Sequence, residues 1–201
     1  MANKIKAVIY DMGGVILKSE DYAPRITLAK TYGLSRQELE DQIFDSETAY
    51  LATIGKISER DHWKRVFDVL HVPLEQQQDF ENAFWAGDRL DTELIDFLDS
   101  LRPEIKTALL SNAWTGTRQS LFEKYGSKDV FDISVFSYEV RLAKPDPAIY
   151  RLMLSRLEIQ PEEGIFLDDN LQNIEAANLL GIHGIHFKGR EQAIREIRAL
   201  L

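Results

Sequence analysis

Short apolar runs along the chain end repeatedly in a polar, chemically able residue. Ala7-Val8-Ile9-Tyr10 leads into Asp11, Thr107-Ala108-Leu109-Leu110 into Ser111-Asn112, and Ile165-Phe166-Leu167 into Asp168-Asp169-Asn170. Unbroken runs of this length, bounded by polar or glycine signals, read as strands buried on both faces of a parallel sheet. The pattern predicts strands over 5–10, 106–110, 133–136, 164–167 and 183–187. Helices are predicted over 91–101, 114–125, 147–157, 171–180 and 190–200. Such β/α alternation implies an α/β fold, a doubly wound, Rossmann-like parallel sheet covered by helices with right-handed crossovers. Ligands of such sheets bind outside the carboxyl ends of the strands, where the polar residues fall.

The stretch from about Asp21 to Gly87 reads as helix throughout, without a convincing strand. Ser35-Arg36-Gln37-Glu38 carries the capping-box pattern, and Ser58-Glu59-Arg60-Asp61 its aspartate variant. After the second start, Trp63, Val66, Phe67 and Leu70 fall on one helical stripe. The expected organisation is a core of residues 1–17 and 88–201 with an α-helical cap of residues 18–87 inserted after the first strand, beside the crevice. The cap side chains to inspect for substrate choice are Tyr22, Arg25, Tyr50, Trp63 and Trp85, although aromatics at helical spacing more often belong to a core.

Bulk properties narrow the function. The 201 residues are 44% hydrophobic and 28% charged, ordinary for a globular protein. Thirty-three acidic against 24 basic side chains give a net charge of −9, which argues against a nucleic-acid surface. The absence of cysteine excludes disulfides, thiolate zinc sites and cysteine nucleophiles. Too few apolar residues precede Asp11 for a secretory segment, and no apolar stretch reaches membrane-spanning length, so a cytoplasmic location is expected.

Each polar motif admits a bland reading when taken alone. Asp11, in Tyr10-Asp11-Met12-Gly13-Gly14-Val15, is either a turn former or a nucleophile beside backbone N–H groups that cradle an anion. Ser111-Asn112 is either a helix start or a hydroxyl and amide donating to phosphate. Lys144, ahead of Pro145-Asp146-Pro147, is either a solvated charge or a cation held by a stiff turn to neutralise a phosphoryl group. Asp168 and Asp169, followed by Asn170 and Asn173, are either a helix-capping turn or a carboxylate pair that needs a hard cation such as Mg²⁺ between its charges.

In order and spacing, the four motifs together resemble those of the haloacid dehalogenase superfamily of aspartate-nucleophile phosphohydrolases, over the whole chain. Leu142-Ala143-Lys144-Pro145-Asp146-Pro147-Ala148-Ile149-Tyr150 and Phe166-Leu167-Asp168-Asp169-Asn170 are most similar to its bacterial sugar-phosphatase branch, which includes an α-glucose-1-phosphate phosphatase. The resemblance implies Asp11 as nucleophile and Lys144 as its catalytic cation. Ser111, Asn112, Lys144 and the amides of Met12 and Gly13 would bind phosphate. Asp11, the Gly13 carbonyl and Asp169 would hold Mg²⁺, with Asp168 supporting from behind. The substrate would be a small phosphorylated metabolite, with a sugar 1-phosphate leading.

One departure matters. Two residues after the nucleophile the superfamily usually has a second aspartate, which protonates the leaving oxygen; here stands Gly13. That substitution disfavours a phosphomutase, and the acidic pair disfavours dehalogenation. Glu20, Glu47 and His62 of the cap are candidate stand-ins, each more plainly structural. The rival reading is a catalytically silent protein that binds or senses a phosphometabolite.

Overall fold

In the computed structural model, which describes residues 4–123 and 131–201, the first strand β1 (Ala7–Tyr10) lies at the centre of a parallel sheet. The order is β5-β4-β1-β6-β7, with β4 at Lys106–Ser111, β5 at Ile133–Phe136, β6 at Gly164–Asp168 and β7 at His183–His186. Alternate side chains of β1 enter opposite cores. Val8 and Tyr10 join one apolar cluster with Leu94, Leu98 and Ile197, while Ala7 and Ile9 join the other with Ile149 and Met153. Two covered faces explain why this strand is apolar without interruption.

The helices around the sheet are α6 (Thr92–Ser100), α7 (Thr117–Glu123), the short α8 (Ser137–Val140), α9 (Pro147–Leu157), α10 (Leu171–Leu179) and α11 (Arg190–Leu200). The predicted sheet and its winding are therefore those observed. Helix α7 starts three residues later than its apolar pattern suggests. Gly116 takes φ +92°, which a helix does not accommodate, and Trp114 turns away from the sheet. The predicted end of this helix, at 124–125, lies outside the described residues.

Between β1 and α6 the chain forms α1 (Ala23–Thr31), α2 (Arg36–Phe44), α3 (Glu47–Thr53), α4 (Glu59–Leu70) and α5 (Gln77–Phe84). Both expected capping boxes are present, at Ser35/Glu38 and Ser58/Asp61. Trp63, Val66 and Phe67 are buried, in a separate apolar cluster with Leu39, Ile43, Phe80 and Phe84. Trp114 of the sheet half reaches into this cluster, its ring 4.5 Å from that of His62 and 5.9 Å from that of Phe44.

The sequence pattern does not reveal a small ribbon at the base of these helices. There β2 (Leu17–Ser19) pairs antiparallel with β3 (Asp88–Leu90), so the chain leaves and re-enters the sheet half through two hydrogen-bonded strands. Arg25 of α1, only 7% exposed, donates to Asp88 Oδ1 and Oδ2 at 2.9 and 3.1 Å, and Ser19 donates to the same carboxylate. Among the described residues no helix is long and apolar enough to cross a membrane.

Candidate active site

Parallel strands deliver Asp11, Ser111 and Asp168 to the same edge of the sheet. The Asp11 N–H donates to the Leu167 carbonyl at 2.8 Å, which fixes the residue after β1 against β6. Lys144 comes from the turn before α9 and bridges the two strand ends. Its Nζ lies 2.8 Å from Asp11 Oδ1 and 2.6 Å from Asp168 Oδ2, and its side chain is 1% exposed. Asp169 completes the group: one carboxylate oxygen each from Asp11, Asp168 and Asp169 lie within 4.8 Å of one another.

Asn112 departs from its expected part. Its Nδ2 donates to the Lys144 carbonyl and its Oδ1 accepts from the Lys144 N–H, both at 2.8 Å. The amide thus holds the lysine backbone in place instead of being kept for phosphate. Ser111 is buried, and its hydroxyl makes only a long 3.4 Å contact, to the Asn112 carbonyl. Met12 also differs, because its N–H donates to Asp11 Oδ1 at 2.7 Å. The Gly13 N–H has no acceptor among the described residues.

Two donors therefore converge on Asp11 Oδ1, and Oδ2 has no partner among the described residues. Asp168 is saturated: besides Lys144 it accepts from the Asn170 N–H at 2.8 Å and from Asn173 Nδ2 at 3.0 Å on each oxygen. Asn173, to which the sequence assigns no role, orients a buried carboxylate. Asn170 caps α10, its side chain accepting from the Gln172 N–H.

Burial pushes the Asp11 carboxyl well above the usual range; Lys144 counters this, and the charge of Asp168 adds to it. Burial works against the Lys144 ammonium, but the flanking Asp11 and Asp168 outweigh it and raise its affinity for the proton. Asp169 is likewise pushed up, by desolvation and then by Asp168. Three carboxylates thus face one resident cation. An added divalent ion would relieve this imbalance, and the oxygens not already taken belong to Asp11 and Asp169. Gly14 makes room for the latter: it has φ +73°, and a Cβ there would lie 2.0 Å from Asp169 Oδ2. The donor set and this close approach fit a small, hard, oxygen-seeking cation.

Asp11 and Gly13 open into a cavity of about 670 Å³ roofed by the helical half. The residues of this mouth and of the three strand ends lie within the span of a known family. The family model for haloacid dehalogenase-like hydrolases matches residues 5–181. The chain belongs to that family. This hydrolase is 27% identical over 211 residues to a phosphorylated carbohydrates phosphatase of Thermotoga maritima, the match covering 98% of the chain and 90% of the relative. It is also 41% identical over 97 residues to mouse acyl-CoA dehydrogenase family member 10; that match covers 48% of the chain but spans only 9% of the mouse protein. Among solved structures, a family enzyme of Bacteroides thetaiotaomicron, in complex with magnesium and inorganic phosphate, superposes with a TM-score of 0.76 at 25% identity. That superposition covers 92% of this chain and 94% of the other.

The roof of the hydrolase cavity separates the cap residues flagged by sequence. Tyr22, Arg25 and Trp85 line it; Tyr50 and Trp63 do not. Trp63 is core, stacked with Phe67 at 5.7 Å. None of Glu20, Glu47 and His62 lines the cavity. His62 is fully buried and pairs its Nδ1 with the Thr48 hydroxyl at 2.9 Å. Sequence reasoning missed Phe44, Glu59 and Trp114, all of which do line it. The only sequence signal for Glu59 was its position directly after the capping serine.

Proposed function

We propose that this hydrolase cleaves small phosphomonoesters through an aspartyl-phosphate on Asp11, with Mg²⁺ as cofactor. The observation that carries the reading is the state of Asp11: Oδ1 is pinned by Lys144 and Met12, while Oδ2 is left free beside the cavity. A carboxylate so fixed has lost the freedom to turn away from phosphorus, which is how positioning lowers a phosphoryl-transfer barrier. The Asp11 carboxylate attacks phosphorus, the bond to the alcohol oxygen breaks, and water later attacks the same phosphorus to release phosphate and restore the carboxylate. Lys144 offsets the charge gathering on the phosphoryl oxygens. Asn112 keeps the lysine at that point, and the Gly13 N–H and Ser111 hydroxyl are donors available to the anion.

The metal would be held by Asp11, the Gly13 carbonyl and Asp169, with Asp168 orienting Lys144. When bound, it supplies further positive charge to the phosphoryl group. The magnesium and phosphate in the Bacteroides enzyme support this assignment. Residues 1–17 and 88–201 would form the catalytic core, and residues 18–87 a cap that selects the alcohol. For that alcohol we favour a sugar carrying phosphate at its anomeric carbon. The name of the Thermotoga relative supports a carbohydrate, as does a wall combining Tyr22 and Trp85 with Gln37, Asp41 and Ser120, which suit a ring face and its hydroxyls.

The test is release of phosphate from p-nitrophenyl phosphate and from a panel of sugar phosphates. We expect turnover that needs Mg²⁺, stops on chelation and falls by about 10³-fold or more in Asp11→Asn. Absence of turnover on every aryl and anomeric ester, with binding retained, would establish the silent phosphometabolite-binding protein instead.

A further inference from the structure

Breaking a phosphate ester of an ordinary alcohol leaves an alkoxide, which must be protonated as it departs. The strand-end groups are committed: Asp11 attacks, Lys144 is bound by two carboxylates, and Asp168 accepts from three residues. Gly13 has no side chain to offer. The roof of the cavity is the next place that could supply the proton.

Most acidic groups in that roof are unsuited to hold one. Glu40 is bound by Arg25 at 3.1 Å and by Arg36, and Asp88 by Arg25 at 2.9 Å. Those ion pairs occupy both carboxylates. Asp41, bonded to the Gln37 amide, and Asp45 are exposed to water. Glu59 is different. It is half-buried, lines the cavity and has no cationic partner among the described residues. Burial raises its proton affinity, with the charge of Glu81 adding to the rise.

Its place is fixed from the catalytic side. The Glu59 N–H donates to Thr115 Oγ1 at 2.9 Å, on the loop that begins at Ser111. A Cβ at Gly116 of that loop would lie 3.1 Å from Glu59 Oε2. Thr53, at the end of α3, is held to the same side by two bonds: its hydroxyl accepts from Trp114 Nε1 at 3.2 Å and its carbonyl from Ser137 Oγ at 2.6 Å. The start of α4 is thus docked on the phosphate-side loop, and with it the cavity acid that, among the described residues, is both partly shielded from water and without a cation.

Resting on the phosphatase reading, we propose that Glu59 is the general acid for the leaving alcohol and the general base for the water that follows. As the phosphorus–oxygen bond breaks, its electron pair goes to the alcohol oxygen, which takes the proton of the Glu59 carboxyl. The resulting carboxylate then accepts a proton from water as water attacks the aspartyl-phosphate, and the electrons of that bond return to Asp11. Acid and base are one group because water enters on the side the alcohol left.

The test compares wild type and Glu59→Gln on a series of phosphomonoesters running from p-nitrophenyl phosphate to simple alkyl phosphates. We expect Glu59→Gln to lose about 10²- to 10⁴-fold in kcat on alkyl esters. In a single turnover the burst of p-nitrophenol that accompanies aspartyl-phosphate formation should keep its rate, because this alcohol needs no proton to leave, whereas the steady state that follows should slow on every ester through loss of the base. Equal losses in the single-turnover rate of bond breaking along the series would assign Glu59 a structural role and overturn the inference, as would an alkyl rate equal to that of wild type. A wild type without phosphatase activity would overturn the phosphatase reading itself, a result distinct from either of these.

Discussion

The two ends of the cavity are built on opposite principles. At the end proposed to take the phosphate, groups from the ends of β1, β4 and β6 and from one turn are bound to one another, and Lys144 and Asp168 are almost wholly withdrawn from water. At the end proposed to take the alcohol, Tyr22, Phe44 and Asp45 are exposed, and the wall is gathered from several helices whose stability comes from a core behind it. The first end is rigid because each charge fixes its neighbour. The second can be changed residue by residue without disturbing the first.

This contrast can be broken by substitution. Lys144→Ala should strike kinetics hardest, lowering kcat/KM by about 10²- to 10³-fold, with phosphate affinity and rate falling together; unchanged steady-state constants would refute the part given to the lysine. Trp63→Phe, in the core behind the alcohol end, should instead cost about 1–2 kcal/mol of stability, read as a lower denaturant midpoint. The aryl phosphatase rate of the folded protein should stay close to wild type. A kinetic loss as large as that of Lys144→Ala would mean the two ends are not separable. The smallest effect concerns His62. Burial lowers its pKa in the folded state, so below about 6.5 the unfolded chain binds the proton more readily and stability falls with pH. His62→Asn should flatten the dependence of the denaturant midpoint between pH 7.5 and 5.5, and an unaltered slope would assign it to other groups.

The same contrast governs what the amino-acid sequence discloses. The phosphate end was legible because each contributor closes a contiguous run: Tyr10 before Asp11, Leu110 before Ser111, Leu167 before Asp168. A parallel sheet then brings such ends together without further information. The alcohol end was not legible, since Phe44, Glu59 and Trp114 come from separate segments and meet only through helix packing. The β2–β3 ribbon escaped notice because Leu17-Lys18-Ser19 and Asp88-Arg89-Leu90 are too short to show alternation and pair across the whole helical insertion. Trp114 was read as the first turn of a helix because nothing local distinguishes an apolar residue that starts a helix from one planted in a neighbouring cluster. Asn112 illustrates a further limit: its type announced hydrogen bonding, but only the fold shows that its partner is the Lys144 backbone.

Trp114 has a practical corollary. The chain holds three tryptophans, and Trp63, Trp85 and Trp114 all belong to the helical cluster, leaving none in the sheet. Ultraviolet emission from this protein is therefore a private channel to the roof of the cavity. A ligand that alters how the roof sits will shift that light, and melting confined to the sheet will pass almost unseen.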